Sequence, residues 1–214
     1  MLEIWGRRSA YNVQKVLWTV GELGLPYEHI DVGGVVGRLD TPEFLMMNPH
    51  GRIPVVVDGE TVVWESNTIV RYLGARYGSG VLWTTDPAER SLAERWMDWE
   101  LATLQPDFLA LFWGFFRTPV EQRDHAALQS SLSRCEKHYR KLDAHLARQP
   151  YLAGAAFGMA DIACATSLYR YFEMGILVPS PPNLRAWYER LTKRRAYRQH
   201  VMTPFEELRG RLTF

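Results

Sequence analysis

The stretch Trp5-Gly-Arg-Arg-Ser9-Ala-Tyr-Asn12-Val-Gln-Lys15 decides the fold. It joins a short apolar run, Leu2 to Trp5, to an amphipathic run in which Val13, Val16, Leu17 and Val20 recur at i, i+3, i+4 and i+7. That spacing is a buried helix face, so the stretch predicts strand, turn and helix. Ser9 and Asn12 then stand at the mouth of a helix N-terminus. Such a mouth presents unpaired backbone N–H groups and the positive end of the helix dipole, which suit an anion such as a thiolate. Ser9 reads equally as the N-cap of the helix.

Working outward, Gly24 ends the helix and Pro26 opens a second extended run over residues 27–32. Strand, helix and strand within such a short span predict a βαβ unit with parallel strands. Gly33-Gly-Val-Val-Gly37 is a flexible loop without the Gly-Lys-Ser/Thr ending of a phosphate loop. Thr41-Pro42 caps a short helix to Met47, and Asn48-Pro-His-Gly51 is a turn. Residues 52–57 form a strand, Asp58-Gly59 a hairpin turn, and residues 61–64 the antiparallel return. Ser66 is the expected N-cap of a helix over residues 67–77, closed by Gly78. The predicted order is βαβαββα.

Residues 79–85 read as a linker, and from Asp86 the pattern is helical. Asp86-Pro-Ala-Glu89 and Thr118-Pro-Val-Glu121 are capping boxes, opening long helices over residues 87–116 and 119–148. Gly158-Met-Ala-Asp161 opens a helix to about residue 174, Asn183 caps another to about 194, and Thr203-Pro-Phe-Glu206 opens a short last one. The organisation is an α/β domain over residues 1–78 and an all-α domain of five or six helices over residues 86–214.

The 214 residues carry 25 basic and 24 acidic side chains, a formal net charge of +1. That balance leaves no footprint for nucleic acid or an acidic membrane surface. No apolar run approaches the ~20 residues of a membrane span, and the N-terminus does not read as a signal peptide. The sequence predicts a cytoplasmic protein with no membrane or nucleic-acid partner. Cys135 and Cys164 lack metal-ligand spacing and read as buried structural thiols, and no metal is expected. The eight Trp, ten Tyr and nine Phe fill cores or line an apolar cleft.

Four stretches, in this order and spacing, resemble the cytosolic glutathione transferases. They are Ser9-Ala-Tyr-Asn12, Asn48-Pro-His-Gly-Arg-Ile-Pro54, Trp64-Glu-Ser-Asn-Thr-Ile-Val-Arg-Tyr-Leu73 and Met159-Ala-Asp-Ile162. The resemblance spans essentially the whole chain and implies a thioredoxin-like N-terminal domain of a serine-type, bacterial-like class. It implies a cis Pro54, with the Ile53 backbone pairing with the cysteinyl backbone of glutathione. Glu65 would meet the γ-glutamyl ammonium, and Ser66 with its helix N-terminus the γ-glutamyl carboxylate. Arg52 and Arg38 are candidates for the glycyl carboxylate, with His50 a further one. Ser9 would donate to the thiolate and Asn12 would be a second donor; Tyr11 ranks below both. Lowering a thiol pKa by about two units takes about 2.7 kcal/mol. A charged hydrogen bond supplies ~1.5–3 kcal/mol and a helix N-terminus ~0.3–1, so Ser9 and the helix end just suffice. Gly158 stands where the folding motif usually has Ser or Thr. The absence of a cysteine near Ser9 argues against thiol-disulfide chemistry.

Glutathione would be a cosubstrate, its thiolate attacking a small hydrophobic electrophile. Phe108, Phe112, Phe115 and Phe116 share a helix face near Trp113, which is either core or the wall of an apolar pocket. Phe112, Trp113, Phe116, Arg117, Tyr169 and Tyr11 form the candidate hydrophobic-substrate set. The resemblance also implies a homodimer. Competing expectations are a non-catalytic docking module of the same fold, or a specialised dehalogenase, isomerase or peroxidase.

Overall fold

A computed structural model describes residues 1–213; Phe214, the last residue of the expected helical domain, lies outside the described residues. The chain divides into two compact units, residues 1–84 with 195–203 and residues 85–194 with 204–213.

The first unit runs β1 (Leu2–Trp5), α1 (Tyr11–Leu23), β2 (Tyr27–Ile30), α2 (Pro42–Met47), β3 (Val55–Asp58), β4 (Thr61–Trp64) and α3 (Ser66–Tyr77). The expected βαβαββα order is present, with one additional short 3-10 turn, Gly34–Val36, inside the glycine-rich loop. The sheet order is β2-β1-β3-β4. β1 and β2 are parallel, while β1–β3 and β3–β4 are antiparallel. Asp58 pairs with Thr61 around a two-residue loop, and Gly59 supplies the positive φ of 62° that the turn needs.

Strand alternation divides the core between the two faces of the sheet. Leu2 and Ile4 pack with Val13, Val16, Leu17 and Val20 of α1, Val56 of β3, and Ile69 and Leu73 of α3. Trp5 points to the other face, with Val32, Phe44 of α2 and Val55. Each fully buried aliphatic side chain contributes ~1.5–3 kcal/mol, so the two clusters fix α1 and α3 on one face and α2 on the other.

Two cap assignments change. Ala10, not Ser9, is the N-cap of α1, and it offers no side-chain acceptor. The helix after β4 starts one residue early, with Ser66 inside it and Glu65 as the N-cap residue. At neither helix does the N-cap residue itself make a side-chain cap hydrogen bond.

The second unit holds α4 (Pro87–Trp99), α5 (Gln105–Phe112), α6 (His125–Leu146), α7 (Met159–Ala165), α8 (Leu168–Glu173) and α9 (Pro182–Thr192). α4 and α5 continue through a widened π turn, Glu100–Leu104, and a second π turn follows at Trp113–Arg117. Pro106 lies just beyond the first. Proline lacks the N–H and crowds the carbonyl four residues back, which a widened turn relieves.

Asp86 caps α4 as expected, accepting from the Ala88 and Glu89 N–H groups at 2.7 and 3.2 Å. Thr118-Pro-Val-Glu121 does not open the next long helix. It leads into a 3-10 turn, Val120–Gln122, and α6 starts at His125 under Asp124, whose carboxylate accepts from the Ala127 N–H at 2.9 Å. Asn183 does not cap α9; Asp143 of α6 does, accepting from the Asn183 and Leu184 N–H groups at 2.7 and 2.9 Å. The expected last helix is a 3-10 turn, Glu206–Leu208. The run expected as one helix from residue 159 to 174 is interrupted at Thr166 and Ser167, whose hydroxyls donate back to the Ile162 and Cys164 carbonyls.

Asp161 is buried at the start of α7 and accepts from the Leu152 N–H (3.1 Å), the Gly158 N–H (2.9 Å) and the Trp187 indole (3.0 Å). Burial pushes its carboxyl up to about 7, against the pull of those three donors. Asp161 thus supplies the reciprocal half of a capping box by accepting from the Gly158 N–H, while its own N–H, which a cap hydroxyl would take, donates to the Gly158 carbonyl at 3.1 Å. Both cysteines are buried and outside any disulfide, and burial pushes the Cys135 thiol up to about 12.

A tenth helix, α10 (Arg195–His200), belongs with the first unit rather than with the helical residues preceding it in sequence. Its Tyr197 ring meets Trp18 edge-on at 4.6 Å, and a Cβ on Gly21 of α1 would come within 2.9 Å of Ala196 Cβ and His200 Cδ2. Just beyond α10, Thr203 receives a hydrogen bond from Gln14 at 2.9 Å. Hence α1 buries Gln14, Trp18 and Thr19 as well as its Val and Leu stripe. Among the described residues no helix is long and apolar enough to cross a membrane.

Candidate glutathione site

Strand register brings the three expected segments of the first unit to one end of the sheet. Trp5 pairs with Val55, and Val55 with Trp64, so these three residues form one row across β1, β3 and β4. β3 runs against β1 and β4. The row therefore has the Gly6–Ser9 turn leaving β1, Ile53-Pro54 entering β3, and Glu65-Ser66 leaving β4, all on its same side. α1 and α3 pack together on one face and both begin at this end.

The turn after β1 is closed by the Ala10 N–H donating to the Arg7 carbonyl at 2.9 Å. Ser9 lies inside it, half-buried, one residue before the N-cap. Asn12 is the second residue of α1, and its Oδ1 is buried without a hydrogen-bond partner. Tyr11 is buried, with the Lys15 ammonium 4.9 Å from its ring centroid.

The Ile53–Pro54 bond is cis, as the resemblance implied. Upstream, Asn48 is buried and organises the turn. Its Nδ2 donates to the Arg52 carbonyl at 2.7 Å, and its Oδ1 accepts from the His50 N–H at 3.1 Å. Arg52 is exposed, while the His50 ring stands edge-on to Trp64 at 5.2 Å.

Among the described residues, Arg38 and Glu65 are the non-glycine residues with positive φ, both at 68°. Such a backbone costs of order 1–3 kcal/mol and collects at functional sites. Both had been singled out from sequence. Glu65 is exposed beside the buried Ser66, at the N-terminus of α3. Arg38 lies 5.8 Å from the Trp5 ring and reaches Glu43 at 3.4 Å. Its carbonyl accepts from the Thr41 hydroxyl, which itself caps α2.

The remaining candidates lie in the helical unit. Phe112 and Phe116 are buried and stacked at 5.2 Å, with Phe205 against both. Their shared face is core packing, the first of the two readings open to it. Trp113 is exposed and carries the Arg117 guanidinium 3.8 Å over its ring. Arg117 is itself buried, donating from Nε to the Arg211 carbonyl at 2.7 Å. Tyr169 is half-buried, edge-on to Phe205 at 5.7 Å.

Two residues at the site end of the first unit were not singled out from sequence, Gly6 and His29. The His29 Nε2 lies 2.7 Å from the Gly6 carbonyl. Nothing in the local pattern marks a histidine on a short strand as reaching the next strand's exit.

In a thioredoxin-like unit, the N-termini of α1 and α3 and a cis-proline meet at one sheet end, a setting suited to an anion such as a thiolate. Comparison with known proteins narrows the reading. Residues 1–75 match the glutathione S-transferase N-terminal domain and residues 125–190 the glutathione S-transferase C-terminal domain. The chain is 45% identical over 206 residues to glutathione S-transferase GstB of Escherichia coli, covering 95% of this chain and 99% of that one. It is 32% identical to glutathione S-transferase 3 of Zea mays over 210 residues, 94% of this chain and 93% of that one. The solved theta class glutathione S-transferase of Xanthomonas axonopodis pv. citri with glutathione bound is 47% identical. It superposes with a TM-score of 0.91, covering 95% of this chain and 98% of that one. The chain belongs to the glutathione S-transferase family.

Proposed function

We propose that the protein binds glutathione at the shared end of β1, β3 and β4 and activates its thiol for attack on a small hydrophobic electrophile. The carrying observation is the Trp5–Val55–Trp64 row, which gathers the helix mouth, the cis-proline segment and the Glu65-Ser66 turn. The sulfur lies at the N-terminus of α1, with Ser9 and Asn12 as its donors. The Ile53 backbone pairs with the cysteinyl residue. The γ-glutamyl end sits at the N-terminus of α3, its carboxylate on Ser66 and its ammonium on Glu65. Arg52 or Arg38 takes the glycyl carboxylate.

Glutathione is consumed as a cosubstrate in this reading. Its thiolate displaces a leaving group or opens an electrophilic carbon, and the protein supplies pKa lowering and alignment. Trp113, Tyr169 and Tyr11 remain the proposed contacts to the electrophile, with Arg117 holding the Trp113 ring. Phe112 and Phe116 support them from the core. The functional unit is a cytoplasmic homodimer.

Glutathione binding followed by calorimetry, with turnover of an aryl halide measured in parallel, tests this reading. Glu65→Gln and Ser66→Ala are each expected to weaken glutathione binding about tenfold, the value of a charge-assisted hydrogen bond. Unchanged affinity in both variants contradicts the placement of the γ-glutamyl end.

A further inference from the structure

We propose that His29 is a positioning residue for the thiolate turn, acting through its hydrogen bond to the Gly6 carbonyl. This rests on the site reading above.

The chemistry of the pair is fixed by its acceptor. A carbonyl only accepts, so the His29 nitrogen at 2.7 Å is the protonated one, and the ring donates from Nε2. Burial and the nearby Arg8 charge hold the His29 pKa below its ordinary value, which keeps the ring neutral. The other polar group of Gly6 is also held by β2: its N–H donates to the Ile30 carbonyl at 3.0 Å. Both hydrogen-bonding groups of this one residue are therefore tied to neighbouring positions of the adjacent parallel strand.

Gly6 is tied by shape as well. Its φ is 150°, and a Cβ there would come within 2.6 Å of Val13 Cγ2 and 3.3 Å of Ile53 Cβ. The residue is thus wedged between α1 and the residue preceding the cis-proline. The turn that carries Ser9 begins at the next residue, with the Arg7 carbonyl closing it onto Ala10. Freed from His29, the Gly6 carbonyl can rotate, and Ser9 and the first N–H groups of α1 turn with it. A thiolate held by several hydrogen bonds is sensitive to such a shift, because hydrogen-bond strength falls steeply with angle. The role of His29 is therefore to hold the donors in place, without touching the sulfur.

The test compares His29→Leu with His29→Gln. Gln sets an amide nitrogen near the place of Nε2 and restores the donor; Leu removes it. The readout is the pKa of the bound glutathione thiol, followed by thiolate absorbance, with kcat and KM for glutathione. His29→Leu is expected to raise the bound thiol pKa by about half to one unit and lower kcat about three- to tenfold. KM should change little, and His29→Gln should stay close to the wild type. Equal thiol pKa and kcat in wild type and His29→Leu overturn the proposal, as does equal loss in both variants. Thermal unfolding of each variant separates lost positioning from lost structure; a shift in thiol pKa that merely tracks lost stability also overturns it. If the wild-type bound thiol is not lowered at all, the site reading itself fails. If it is lowered and responds to Ser9 or Asn12 but not to His29, only this proposal fails.

Discussion

The Trp187 indole N–H donates to the Asp161 carboxylate at 3.0 Å inside the helical unit, joining α9 to the start of α7. The same carboxylate takes the Leu152 and Gly158 N–H groups, so one buried side chain satisfies donors from three segments. Asp161→Ala orphans all three. At ~1–3 kcal/mol for each buried donor left unmade, the loss is expected to reach about 3–5 kcal/mol. Trp187→Phe frees one carboxylate position without orphaning a backbone N–H and should cost less. Urea unfolding midpoints check the order, and an Asp161→Ala variant as stable as a surface substitution contradicts it.

The cap of α9 comes from another helix. Asp143→Ala removes the acceptor of both the Asn183 and Leu184 N–H groups and is expected to cost about 1–2 kcal/mol. Asn183→Ala keeps that acceptor for both backbone N–H groups, losing only the longer 3.3 Å bond from its own Nδ2 to Asp143, and should cost less than Asp143→Ala. Thermal denaturation of the two variants side by side measures the difference.

Stability should fall on mild acidification through His200. Its pKa is lowered to about 4, chiefly by burial, with the Arg8 charge adding to it. In the unfolded chain the ring titrates at its ordinary 6.5, so between about 6.5 and 4 the unfolded state binds more protons. The contribution is therefore full above about 6.5 and lost as pH falls toward 4. Its full extent is about 3 kcal/mol, from about 1.36 kcal/mol per pK unit. His200→Phe keeps a ring beside Gly21 and removes the titration. Melting temperatures from pH 7 to pH 4.5 should fall less in the variant than in the wild type; parallel curves contradict the assignment.

Much of the site was legible in sequence because its parts are local. The cis Pro54 and the Glu65-Ser66 turn were expected through the family resemblance, and strand register then sets them beside the Ser9 turn. What sequence missed depends on groups distant in the chain. Ser9 and Ser66 looked like caps because serine is a good cap, yet the N-cap residues are Ala10 and Glu65. Asn183 looked like a cap for the same reason, but the acceptor is Asp143, forty residues earlier in the chain. Residues 195–200 fell in the expected helical domain by proximity in sequence with no helix expected there, yet they form α10, whose Tyr197 packs on Trp18. The phenylalanine stripe had two readings at one spacing, and only packing against Phe205 separates them.

Ser9 and Asn12 are the proposed donors that hold the sulfur of glutathione as a thiolate at the N-terminus of α1. The most direct measurement is ultraviolet titration of the bound thiol in the wild type, Ser9→Ala, Asn12→Ala and the double variant. The wild-type value is expected at least about two units below the free thiol, a shift of about 2.7 kcal/mol that one donor and the helix end just reach and a second donor adds to. Each single variant should raise the value, and the double variant should bring it to within about half a unit of free glutathione. A double variant that still binds glutathione with the wild-type thiol pKa would contradict the role of both residues.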